Sequence, residues 1–101
     1  MNSLKMALNI YDRRGVRTTV KLRSLTAAIK VVDVMLCMTP TKKVCKAPIV
    51  IEIRRDDGGE GTSGGLNRRY WWNGHTRSWN HYTNFTSTEI VLARAMEMIH
   101  E

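Results

Sequence analysis

The sequence predicts an α+β fold: an antiparallel sheet of two hairpins plus one strand, with two helices packed on one face, in the order ββαβββα. Three observations lead there. Apolar and polar residues alternate with period two at the start and in the middle of the chain, the spacing of half-buried strands. Two other stretches repeat apolar residues at helical spacing, each behind a Ser or Thr capping position. An Asn73-Gly74 pair sits among five aromatic rings between Arg68 and Tyr82, which is turn chemistry inside a hairpin.

The first strand is predicted where Leu4, Met6, Leu8 and Ile10 alternate with Lys5, Ala7, Asn9 and Tyr11. A turn at Asp12–Gly15 follows, then Thr18, Val20 and Leu22 alternate with Arg17, Thr19, Lys21 and Arg23. With the apolar set toward the core, Arg17, Lys21 and Arg23 lie on the opposite face. Ser24 is placed to cap a helix over residues 25–38, with Leu25, Ala28, Ile29, Val32, Met35 and Leu36 at helical spacing and Thr39-Pro40 as the stop. Only Lys30 and Asp33 are clearly polar in that helix, which implies deep burial or a covered outer face.

Pro48 opens the next strand, where Ile49, Ile51 and Ile53 alternate with Val50, Glu52 and Arg54. Residues 56–66 are glycine-rich, with little to pack, and read as a mobile loop. After the aromatic hairpin, Thr86 and Glu89 have the spacing of a capping box, with Phe85 as its hydrophobic staple. Behind it Leu92, Ala95, Met96 and Ile99 form one stripe, and Glu89, Arg94, Glu97 and Glu101 stay wet.

At 101 residues the chain is one domain, 1–101, with room for a single shallow core. An apolar share of 43% and a charged share of 25% are those of an ordinary globule, which excludes a disordered tail. Sixteen Lys and Arg against nine Asp and Glu give a net charge of +7, which favours polyanionic partners. Cys37 and Cys45 make no disulfide framework of the secreted kind. No apolar run reaches membrane-spanning length, and the N-terminal stretch lacks a signal-like apolar segment, so a reduced, cytoplasmic protein is expected, with no membrane partner.

The aromatic hairpin carries the functional expectation. A two-residue turn at Asn73-Gly74 pairs Trp72 with His75, Tyr70 with Arg77 and Arg68 with Trp79, collecting those six on one face and sending Trp71 to the other. A four-residue loop keeps Tyr70, Trp72, Arg77 and Trp79 in the same parity. Rings interleaved with guanidinium groups suit single-stranded nucleic acid, whose bases stack on the rings while arginines neutralise phosphates. Arg17, Lys21, Arg23 and Arg54 extend the basic surface if they share the sheet. The competing role is structural: with one phenylalanine in the chain, the tryptophans are obvious core bulk. The two roles combine with Trp71 inward and Trp72 and Trp79 outward.

Other chemistry finds no support. Cys37, in an apolar helix, has the place of a core residue. His75 and His81, six apart, fall within the His-x3-5-His range, but Cys37 stands eight residues from Cys45, so the cysteine half lacks the short spacing of a zinc site. Asp56, Asp57 and Glu60 lack calcium-loop spacing, and no Gly-Lys-Ser/Thr marks a phosphate loop. No motif assembles a nucleophile with a base. The expectation is a non-enzyme with no catalytic residues, no metal and no cofactor.

The leading expectation is therefore a small basic protein that binds RNA or single-stranded DNA through the aromatic/Arg hairpin and an open sheet face. In size and in lacking a catalytic signature the chain is similar to small phage-encoded inhibitors, anti-CRISPR proteins among them, although no motif carries that similarity. The resemblance implies a rival reading, a protein-binding inhibitor or modulator of a nucleic-acid-handling complex, since Trp, Tyr and Arg also dominate protein interfaces. A third reading is a structural subunit whose aromatic face is a homo-oligomer interface, and the unusually apolar first helix also suggests association.

Overall fold

The organising strand is Pro48–Arg55, in which every residue from Pro48 to Ile53 is buried. A strand buried on both faces lies in the middle of a sheet with cover above and below. The computed structural model, which describes residues 6–41, 43–55, 68–82 and 87–99, arranges five antiparallel strands around it. They are β1 (Met6–Asp12), β2 (Arg17–Leu22), β3 (Pro48–Arg55), β4 (Arg68–Asn73) and β5 (Ser78–Tyr82), in the spatial order β2-β1-β3-β4-β5. Helix α1 (Leu25–Leu36) joins β2 to β3, and α2 (Thr88–Ile99) ends the described chain. The α+β class and the order ββαβββα are as the sequence reads.

Local chemistry explains the boundaries. At the first turn the Asp12 carboxylate accepts from the Arg14 and Val16 amides at 2.8 and 3.0 Å, and Gly15 adopts φ 78°, a conformation costly for other residues. Ser24, extended at φ −152°, accepts the Ala27 amide at 3.1 Å and caps α1. That helix stops at Leu36, two residues before the predicted end, because Cys37 and Met38 donate to Val34 and Met35 and tighten the last turn. For α2 the Ser87 hydroxyl accepts the Glu89 amide at 3.3 Å. Phe85 and Thr86 of the expected capping box, Leu4 of the first strand and the 56–66 loop lie outside the described residues.

The placement of the helices corrects the expectation that both pack on one face. Residues opposite one another in an antiparallel pair point the same way, and neighbours along a strand point opposite ways. Ile51 pairs with Ile10 and Tyr70, and Ile53 with Leu8. This side packs with Ala28 and Val32 of α1. Val50 pairs with Tyr11 and Trp71, and this side packs with Val91 and Ala95 of α2. The sheet therefore separates the two helices. The near-continuous apolar run of β3 is the reason: Val50 needs cover as much as Ile51 does. With α2 over β3 and β4, the β1–β2 part of the second face is left open by that helix.

Candidate nucleic-acid interface

The aromatic hairpin is real, but its turn is longer than two residues. Asn73 pairs with Ser78 across a loop of Gly74 to Arg77, so Trp72 faces Trp79 and Tyr70 faces His81. Asn73 Oδ1 accepts the His75 and Thr76 amides at 2.9 and 3.2 Å, and Arg77, not Gly74, takes positive φ at 55°. The glycine is required for a different reason. A Cβ on Gly74 would collide with the Met98 carbonyl at the end of α2.

Packing consumes most of the rings. Trp71 and Trp72 are each 4% exposed, which corrects the expectation that Trp72 points outward. Trp72 meets Trp79 edge to face, with centroids 5.5 Å apart at 67°. Trp79 is half-buried against both core clusters and donates its indole N–H to the Met38 carbonyl at 3.2 Å. Tyr70 is half-buried and stacks on His81 at 4.7 Å. Arg68 is half-buried, and His75 and Arg77 are exposed in the loop.

Of the cations predicted from the other strands, Arg17, Lys21 and Arg54 fall on the α2 face. Arg17, Thr19 and Lys21 occupy alternate positions of edge strand β2, all exposed. Lys21, Ala7 and Arg54 form one cross-strand row, so two cations flank a small residue. Arg23 is exposed just beyond β2. Tyr70 packs with the α1-side cluster, Trp72 is buried in the cluster that α2 covers and Trp79 packs against both, so the ten predicted site residues do not form one surface.

The next row on the α2 face is polar across the four strands from β2 to β4: Thr19, Asn9, Glu52 and Arg69. Glu52 is 2% exposed and accepts from Asn9 Nδ2 at 2.9 Å, Arg69 Nε at 2.8 Å and Thr88 Oγ1 at 2.5 Å. Asn9 Oδ1 in turn accepts the Thr19 hydroxyl at 2.7 Å. Burial alone would push the Glu52 carboxyl up. The Thr88 and Asn9 hydrogen bonds and the Arg69 charge outweigh it and hold the group below its ordinary value, so it stays an anion. The expected site omitted Arg69, Asn9, Thr88 and Glu52 itself. A lone acid inside an apolar strand was the available sign, since a buried carboxylate demands donors.

Beside this row opens a cleft of about 660 Å³, lined by Tyr11, Gly15, Arg54, Arg69, Leu92 and the first turn of α2 from Ser87 to Glu89. The Arg54 side chain is 45% exposed, and its Nη1 stands 4.0 Å from Glu52 Oε1. Arg69 Nη1 is buried with no acceptor among the described residues. Two guanidinium groups and the amide-rich start of a helix offer donors to an anion there, while the carboxylates of Glu52, which faces both guanidinium groups, and of Glu89 offset their charge.

Cys37 and Cys45 are free and exposed, so Cys37 is not the core residue its helix suggested. Among the described residues no three His, Cys, Asp or Glu side chains cluster as a metal site. No described helix is long and apolar enough to cross a membrane. Comparison of the chain with protein-family models, curated proteins and solved structures found no match.

Proposed function

We propose that this chain is a non-enzymatic binding protein for RNA or single-stranded DNA. The strand lies along the open β1–β2 part of the α2 face and enters the cleft beside α2. One observation carries the reading: Arg17, Lys21, Arg54 and Arg69 share one sheet face around an open cleft, in a chain of net charge +7. The arginines and the lysine take phosphates, and Tyr11 at the cleft offers a ring to one base. A single strand fits better than a duplex. The surface is a sheet face with a recess, and among the described residues no basic helix or ribbon projects from it to enter a groove. The aromatic hairpin serves mainly as the scaffold that holds Arg69 in place.

Titration of labelled single-stranded RNA, single-stranded DNA and duplex at two salt concentrations tests this. Single strands should bind with a steep salt dependence. The folded variant Arg17→Ala/Lys21→Ala/Arg54→Ala should lose about two from the log–log salt slope, at about 0.7 per phosphate contact. Absence of binding at low salt, or an unchanged triple variant, sinks the proposal and directs attention to a protein partner.

A further inference from the structure

Helix α1 is far more apolar than its contact with the sheet requires. Only Ala28 and Val32 are fully buried. Ala27, Val31, Val34 and Met38 recur at spacings of four, three and four, which aligns them along one strip at the side of the core-facing stripe. Ala27 and Val31 are half-buried, while Val34 is 69% and Met38 47% exposed. The opposite flank holds the exposed Thr26, Lys30, Asp33 and Cys37. A seam of this spacing is what one helix presents to another.

We infer that α1 is a self-association surface through which two copies of this chain pair about a two-fold axis, with their α1 helices antiparallel. Two features select a second copy as the occupant. The first is charge. The chain carries +7, yet α1 holds one lysine and one aspartate and lies across the sheet from Arg17, Lys21 and Arg54. The helix is thus itself neutral, so two cationic molecules meet on it without opposing the Arg17, Lys21 and Arg54 face, although Arg55 and Arg68 lie on its side of the sheet.

The second feature is self-complementarity. A two-fold antiparallel pairing that sets Val31 against Val34 of the other copy also sets Ala27 against Met38, small against large. It directs each Lys30 along the flank toward Asp33 of the other copy, and the symmetry repeats every contact. A helix of 12 residues is only about 18 Å long, so the contact is at the small end of specific interfaces and the association is weak, in the micromolar range. The pairing stands independently of the nucleic-acid reading, and it leaves both basic faces pointing outward.

Sedimentation equilibrium of the full chain between about 5 and 200 µM, a range that brackets weak association, is the test. The wild-type mass should rise from 11.6 kDa toward twice that value. Val34→Asp should stay monomeric throughout, with an unchanged circular-dichroism spectrum. Lys30→Asp and Asp33→Lys should each weaken pairing about fivefold, and the double exchange should restore it, because surface ion pairs are small but reciprocal here. A wild type that remains at monomer mass, a Val34→Asp chain that still dimerises, or a double exchange without rescue overturns the inference.

Discussion

Ile51 and Glu52 are neighbours in β3, and the two faces they serve are built on different physics. The Ile51 face is dry: Met6, Leu8, Ile51 and Ile53 meet Ala28 and Val32, and apolar contact holds α1 down. The hydrogen bond from Trp79 of β5 to the Met38 carbonyl lies just beyond the end of that helix. The Glu52 face adds directional contacts to its apolar patch. At one end of α2, Thr88 donates to Glu52 at 2.5 Å; at the other, the Met98 carbonyl sits against Gly74. Burial is non-directional, so it fixes which face a helix covers better than where along the sheet it rests. A hydrogen bond at one end and a close backbone contact at the other set the position of α2, and with it the shape of the cleft.

Cutting each face at its centre tests this contrast most severely. Glu52→Ala leaves Arg69 and Asn9 buried without their acceptor and should cost about 3–5 kcal/mol in urea unfolding, with loss of the cleft. Ile51→Ala removes packing alone and should cost about 2–5 kcal/mol, while nucleic-acid affinity of the folded fraction is kept. Equal loss of affinity in the two would erase the distinction between the faces. Gly74→Ala forces the end of α2 away from the hairpin and should cost about 1–3 kcal/mol; an unchanged unfolding midpoint would show that α2 is not held at that end.

The smallest effect sharpens the comparison through pH. The folded Glu52 carboxyl lies below its ordinary value of 4.5, so its contribution to stability is complete above that pH and is lost as pH falls through the lower folded value. Asp12 behaves alike: burial opposes its charge, while Arg14 and the Val16 and Arg14 amides outweigh that and lower it. The urea midpoint should hold steady down to about pH 5 and decline below 4.5. Glu52→Gln should be less stable at neutral pH and show a shallower decline. An identical acid profile in the variant would remove Glu52 from the account.

Residue order alone specifies most of the elements. Period-two alternation marks β1 to β3, Ser24 and Pro48 mark boundaries, and Asp12 with Gly15 marks the first turn, because these depend on neighbours a few residues apart. The candidate site was less legible. Asn73-Gly74 signals a turn correctly, but the glycine answers to a carbonyl on α2, 24 positions away, and the loop it opens is four residues long. The strands show which cations share a strand face. They do not show that Arg69 meets Glu52, because that pairing depends on the register between β3 and β4.

What the sequence determined by itself is the α+β class, the order ββαβββα and the cationic character of β2. Periodicity and charge are properties of the chain before it folds. The tertiary structure alone decided that the helices lie on opposite faces, that Trp72 joins the core, and that Arg54 and Arg69 converge on the start of α2. Each of these depends on which side of a central strand is covered by a segment distant in sequence, and the balance of buried area across the whole sheet sets that choice.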